Sequence, residues 1–238
     1  NKFYYGIKTG LNEAFVVDRV TRDRLIAEHK SSAEVLKPFL RGRDVKRWRT
    51  EFAEKYLIKI ESSENKKHPW SDKTEKEAEK IFAKTYPAIH AHFEALKKIK
   101  LEKPDSHGST NMLEQLKNRD DQGNYFWELR SCAYWNEFEQ PKIILGRFMN
   151  NAMFAFDEQT FLHNDALYMI AGATKYVVAI LNSAVSWYFL RHICTDLQNG
   201  YLQAFRENLF QIPIPEVVNI SVIEKSVDKI LTAKHVNP

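Results

Sequence analysis

Pro141-Lys142-Ile143-Ile144-Leu145-Gly146-Arg147-Phe148, then Met149-Asn150-Asn151, then Ala152-Met153-Phe154-Ala155-Phe156, is the stretch that decides the fold class. Two runs rich in β-branched and aromatic residues flank a short polar link, the pattern of two antiparallel strands. Asparagine tolerates positive φ better than most residues, so the link reads as a tight hairpin turn. Tyr56-Leu57-Ile58-Lys59-Ile60 and Leu167-Tyr168-Met169-Ile170 repeat the strand composition. Lys2 to Asp18 reads as strand, turn, strand, with Gly6 and Gly10 framing Ile7-Lys8-Thr9.

Helical patterns lie between and after these strands. Thr21 to Lys30 reads as a short helix with Thr21 as its N-cap, and Ser71 to Thr85 as a charged helix that Pro87 restarts and carries to Ile99. Val177, Ile180, Leu181, Ala184 and Tyr188 recur at helical spacing and mark a core helix. Tyr201 to Phe210 reads as a short helix stopped by Pro213 and Pro215, and Ser221 with Glu224 as the capping box of a last helix, Val222 to Lys234. Leu101 to Gln122 is polar, contains Pro104 and Gly108, and reads as a solvent-facing excursion. The expectation is an α+β fold: a mixed or antiparallel sheet, flanking helices and a C-terminal helix. One domain would cover 1–215, with a helical extension over 216–238.

Composition narrows the class. The 238 residues are 44% hydrophobic and 28% charged, ordinary for a chain that buries a sizeable core. A net charge of +4 favours an acidic partner only weakly, so clustering of charge matters more. Cys132 and Cys194 have no CxxC spacing and read as free thiols, which points to the cytoplasm. The charge-free run Tyr176 to Leu190 is too short to span a bilayer, so no membrane partner is expected. Beginning on Asn1 without a signal-peptide pattern, the sequence reads as a piece of a longer protein.

Most catalytic signatures are missing. The eight prolines are isolated, so there is no Pro-Pro motif of the amino-methyltransferase kind, and the Gly6–Gly10 turn is neither a dinucleotide nor a phosphate loop. Glu28-His29-Lys30 with Asp18 upstream, and Asp44-Val45-Lys46, both spell the (D/E)xK element of metal-dependent nucleases. In so charged a chain that spelling is cheap, and Glu28 suits an ion pair on a surface helix. His90 and His92, two apart on a helix, point to different faces and make poor metal partners. The piece reads as non-catalytic, with no metal or cofactor of its own.

Binding chemistry is richer. From Leu36 to Arg49 six of fourteen residues are basic and one, Asp44, is acidic, with Gly42 between Arg41 and Arg43. Arginine forks bind phosphate bidentately, so Arg41, Arg43, Lys46 and Arg47 are the candidate phosphate clamp. Lys8 and Thr9 in the first turn, and Arg130, suit the same task. Arg147, Asn150 and Asn151 at the later hairpin, and Arg206 with Gln198, Asn199 and Gln203 around Gly200, carry side chains able to read base edges.

In order, GIKTGLNEAFVVD (6–18), LKPFLRGRDVKRW (36–48), LKNRDDQGNYFWELRSCAYWNEFEQPKII (116–144), YVVAILNSAVSWYFL (176–190) and NGYLQAFRENLFQIPIP (199–215) resemble the TaqI-like C-terminal specificity domain. That family is the target recognition domain of adenine-N6 DNA methyltransferases and of fused type IIG restriction–modification enzymes. The matched positions are Gly6, Lys8, Thr9, Gly10, Arg41, Gly42, Arg43, Asp44, Trp127, Arg130, Gly200 and Tyr201; among them Asp44 would pin the arginines and Trp127 pack in the core. The stretch Leu101 to Glu114 looks inserted relative to the pattern. The resemblance implies a domain that reads a short target in double-stranded DNA. It also implies a methyltransferase domain upstream in the same polypeptide, which would hold S-adenosylmethionine, with magnesium as a second candidate cofactor there. Whether the parent also cleaves DNA stays open. The alternatives are a fragment carrying nuclease chemistry and a protein-docking module of the same system.

Overall fold

The computed structural model describes residues 2–216 and 219–236, the side chains of 235 and 236 excepted. In chain order the first elements are β1 (Lys2–Tyr5), α1 (Asn12–Phe15), β2 (Val16–Asp18), α2 (Arg19–Glu28), α3 (Ser32–Val35), β3 (Leu36–Leu40) and β4 (Lys55–Ile58). Then come α4 (Glu75–Thr85), α5 (Pro87–Ala95), α6 (Met112–Asn118), β5 (Lys142–Gly146), β6 (Phe148–Met149), β7 (Phe154–Asp157), β8 (Leu162–His163) and β9 (Leu167–Ala171). The last are α7 (Lys175–Leu181), α8 (Ala184–Ile193), β10 (Thr195–Asp196), β11 (Leu202–Gln203), α9 (Arg206–Leu209) and α10 (Ile220–Val236). The fold is α+β. Contacts divide the chain into two compact units: Asn1–Ile7, Leu40–Ala53 and Asn136–Pro238 form the first, Lys8–Phe39 and Glu54–Trp135 the second.

The first unit is built on an antiparallel sheet in the order β1-β9-β5-β7. Ile143, Leu145 and Phe154 of that sheet are fully buried against Val178, Leu181 and Leu190 of α7 and α8. The expected core helix is thus two. Asn182 interrupts it by turning its amide onto Phe154, accepting from the Phe154 N–H and donating to its carbonyl, and Ser183 then caps α8 by accepting from the Ser186 N–H. α10 packs on α7 through Val227, 1% exposed. It starts at Ile220, and the Ser221 hydroxyl donates to Asn219 rather than taking part in a capping box.

The expected hairpin at Met149-Asn150-Asn151 differs. β5 and β7 pair with Leu145 opposite Phe154, but neither asparagine takes a positive φ. The strand leaves the sheet at Gly146, where a Cβ would stand 3.0 Å from the Phe148 carbonyl oxygen, and β6 pairs with a different strand, β11. A hydrophobic run cannot show which sheet it joins.

Two buried groups hold the first unit. Lys142 and Asp157, directly opposite on β5 and β7, form a 2.7 Å ion pair with side chains 0% and 1% exposed. Burial pushes the Lys142 ammonium down and Asp157 pulls it back up. Asp157 also accepts the Gln159 and Phe161 N–H groups, and Lys142 also donates to the Phe138 carbonyl. His163 is 0% exposed, and burial drives its imidazole down to about 3 from 6.5.

In the second unit β4 pairs antiparallel with both β2 and β3. β1 and β2 therefore belong to different sheets, and the strand–turn–strand expected over Lys2 to Asp18 is not a hairpin. α2 starts at Arg19, not Thr21; Asp18 is the cap and accepts the Thr21 N–H at 2.8 Å. α4 opens with a capping box of Thr74 and Glu77, and Pro87 sits at the first position of α5. Trp127 stacks between Phe82 at 4.8 Å and Tyr125 at 5.0 Å, with Trp70 edge-on. The polar excursion is only partly that, because Leu113 and Leu116 of α6 are buried and Arg119, 5% exposed, is a hub. Its guanidinium donates to the carbonyls of Thr9, Leu116, Asp121, Phe126 and Glu128. Among the described residues no helix is long and apolar enough to cross a membrane.

Two outcomes are expected in urea melts. Lys142→Met leaves Asp157 buried without its cation and costs about 3–5 kcal/mol, and the Lys142→Met/Asp157→Asn double variant costs less than this single change. His163 binds a proton in the unfolded chain below pH 6.5 but in the fold only near 3, so stability falls as pH drops through that window. His163→Gln should remove about 2 kcal/mol of the difference between pH 7 and pH 5.

Candidate functional site

In the first unit, two loops distant in sequence meet through a three-stranded sheet in the order β10-β11-β6. Met149 lies opposite Leu202, and Phe148 opposite Gln203, which is itself opposite Thr195. Alternation sorts the faces: Met149 and Leu202 are buried at 0% and 2%, while Phe148 is 49% exposed. The hairpin tip is Gln198-Asn199-Gly200, with Asn199 and Gly200 at φ +67° and +74°. Gly200 thus has a backbone reason to be glycine. Tyr201 to Phe205, expected to be helical, is extended as far as the short helix α9.

The sheet gathers several of the sequence candidates. Arg147 continues its ladder, its N–H donating to the Ala166 carbonyl and its carbonyl accepting from Ala204. The Arg147 guanidinium lies 5.8 Å from the Tyr168 ring and 6.0 Å from the Phe148 ring, and its Nε is buried without a partner. Two residues beyond Ala204, exposed Arg206 stands over Phe210 at 5.2 Å. Asn150 and Asn151 are exposed in the loop after β6, with the Asn151 side-chain amide oxygen accepting from the Ala152 N–H. In the same unit Tyr5, Tyr201, Phe205 and Phe210 are exposed by 39% to 58%.

The basic segment is more occupied than its composition indicates. Arg41 forms a bidentate pair with buried Asp44, Nε to Oδ2 at 3.1 Å and Nη2 to Oδ1 at 3.0 Å. Residues 45–50 turn back on themselves, Val45 bridging Thr50, with Trp48 at φ +78° and its backbone bonded to Phe154 and Phe156. Arg47 donates to the Asn182 carbonyl at 2.7 Å, while Lys46 and Arg49 pair with Glu51 at 3.7 Å and 2.5 Å. Arg43 is exposed and has no side-chain partner among the described residues. Phe39 is 1% exposed and belongs to the core.

Lys8, Thr9 and Arg130 lie in the second unit. One carboxylate collects two of them: Asp121 accepts Lys8 at 2.8 Å and Arg130 at 3.2 Å. Thr9 is 3% exposed, its hydroxyl donating to Asn12. Both nuclease-like spellings have structural duties: Asp18 caps α2, Glu28 pairs with Arg24, and Asp44 pins Arg41. The one metal-ligand cluster among the described residues, Glu79, His90 and Glu94, already has a cation beside it: Lys117 Nζ lies 3.9 Å from Glu79 and 3.8 Å from Glu94. His92 takes no part in it, and burial pushes that imidazole down.

The family model described as the TaqI-like C-terminal specificity domain matches residues 37–214, most of the chain, and the chain belongs to that family. Its fold is similar to that of MmeI, a type IIL restriction–modification enzyme solved in complex with DNA. The TM-score is 0.61 at 15% identity, covering 100% of this chain and 28% of that one. The chain therefore spans little more than a quarter of the length of the enzyme it resembles. No curated protein matches it.

Arg47 and Arg43 should separate structural from free arginines. Arg47→Ala removes the donor to the Asn182 carbonyl and should lower stability by about 1 kcal/mol. Arg43→Ala should leave the thermal melting curve unchanged.

Proposed function

We propose that this chain is a target recognition domain that binds duplex DNA and reads a short sequence within a restriction–modification enzyme. The observation that carries the reading is the small sheet β10-β11-β6. It gathers loop 146–153, hairpin 195–203 and α9 into one exposed surface of guanidinium, amide, hydroxyl and aromatic side chains. Membership in a specificity-domain family supports it. Arg43 and Arg206 grip phosphates and set register, and Lys46 and Arg47, half-exposed or exposed, assist by exchanging partners. Arg147, Asn150 and Asn151 face base edges. Lys8 and Arg130 act, if the second unit also touches DNA, only by leaving Asp121.

The enzyme we propose around this domain is an adenine-N6 DNA methyltransferase, working in the cytoplasm. Its catalytic domain and S-adenosylmethionine belong to another part of the polypeptide. Recognition would set one adenine for extrusion into that catalytic pocket. The structural duties of Asp18, Glu28 and Asp44 favour recognition over nuclease chemistry for this piece.

Salt dependence tests the reading. Duplex affinity of the intact protein should fall linearly on a log–log plot against salt. Replacing Arg43 and Arg206 together by alanine should reduce the slope by about 1.8, at roughly 0.9 for each phosphate contact. An affinity flat in salt, or a slope unchanged by the double substitution, would sink it.

A further inference from the structure

Resting on that reading, we propose that Gln203 and Phe148 together read one A·T base pair in the major groove. Neither residue follows from the basic clusters; the register of the small sheet puts them side by side. Gln203 is directly opposite Phe148 on β6 and directly opposite Thr195 on β10, so the three side chains form a row across one face. Their neighbours Met149 and Leu202 point the other way into the core, which fixes the face.

The polar groups of this row are uncommitted. Neither the Gln203 amide nor the Thr195 hydroxyl has a side-chain partner among the described residues. By contrast, the Asn151 side-chain amide oxygen already accepts from the Ala152 N–H, and Arg41 is spent on Asp44. A free carboxamide offers one acceptor and donors in one plane. That set matches the N6 amino group and N7 of adenine, whereas guanine presents two acceptors and cytosine only a donor. The same A·T pair displays the thymine C5-methyl in the same groove. An exposed phenyl ring one strand away from the amide is the apolar surface that such a methyl meets.

The scaffold suits the task. The major groove admits a two-stranded antiparallel ribbon, and Phe148 and Gln203 lie on one antiparallel pair, β6 and β11. Buried Met149 and Leu202 anchor it from beneath, so the row is held rigidly. Arg147, next to Phe148 in sequence, is fixed by two backbone bonds, to Ala166 and from Ala204.

Selection from a randomised duplex pool, done with the intact protein and its variants, tests the assignment. The wild-type protein should yield a motif containing an A·T pair at which Gln203→Ala loses about 5- to 150-fold of its preference. At that same position Gln203→Glu should move the preference toward C·G, because a carboxylate accepts from the cytosine amino group. Deoxyuridine in place of that thymine should weaken binding by the wild-type protein as Phe148→Ala does, and should add nothing in the Phe148→Ala background. The assignment is overturned if both Gln203 variants leave every position of the motif unchanged, or if the position they alter is G·C in the wild-type motif. A wild-type protein that selects no motif overturns the recognition reading itself, before any variant is compared.

Discussion

Everything on the exposed face of the first unit depends on the register of β5 against β7, and a buried charge pair stands at the start of that register. Lys142 and Asp157 face each other across the two strands, both shut off from water. A slip of one residue in either direction would part the two charges, leave Asp157 opposite an apolar residue and turn every side chain of β5 to the wrong face. Uncompensated charges in the interior cost several kcal/mol each, so the slipped arrangement is strongly disfavoured. Against well-packed apolar residues such a pair gains little net stability; its effect is on which pairing forms. With β5 fixed, the strand reaches Gly146 at one defined place, and that place determines where β6 starts. Phe148 then meets Gln203 through the pairing of β6 with β11.

The second unit uses the same device in a region with little regular structure. Between β4 and the unit's end at Trp135, much of the chain is turns and short helices, and its backbone groups need partners. Arg119 supplies them, taking five carbonyls from segments spread over more than a hundred residues. Glu128 does the converse from a side chain that is fully buried, accepting the Ser63 and Asn124 N–H groups, the Ser63 hydroxyl and the Trp70 indole. Burial pushes the Arg119 guanidinium down to about 9, against the charge of Asp121, which pulls it up. Both hubs sit beside the aromatic stack of Trp70, Phe82, Tyr125 and Trp127, so polar satisfaction and apolar burial lock the same loops.

How much was legible in the sequence follows from the range of each interaction. β4, β5, β9, α4 and the start of α5 at Pro87 were visible because periodicity, β-branching and capping are local. The α+β class followed from them, and the pinning of Arg41 by Asp44 is a contact three residues long. What sequence could not show was partnership at a distance. β1 and β2 look like one hairpin, yet they join different sheets. Tyr201 to Phe205 has helix-compatible composition, but pairing with β6, some fifty residues earlier, makes it extended. Gln203 was visible as one of four side chains around Gly200 able to read base edges, and Phe148 as the end of a strand. Their adjacency exists only in the folded register.

The basic segment shows the same limit from the charge side. Six cations in fourteen residues promise an electrostatic surface, but Arg41, Lys46, Arg47 and Arg49 each have an acceptor within the fold. A guanidinium already held by a carboxylate gains less from a phosphate, since it exchanges one charged partner for another. Arg41 is the extreme case, with two hydrogen bonds to a carboxylate that is itself buried, so freeing it would leave Asp44 desolvated and unpaired. On the proposed reading, most of these arginines therefore shape the turn that carries Trp48 onto β7, and only a minority of the cluster's charge is available to DNA. The net affinity of this chain for a random duplex should be correspondingly modest. Selectivity, which needs uncommitted amides and apolar edges rather than charge, then resides in the small sheet, where the unpaired side chains are.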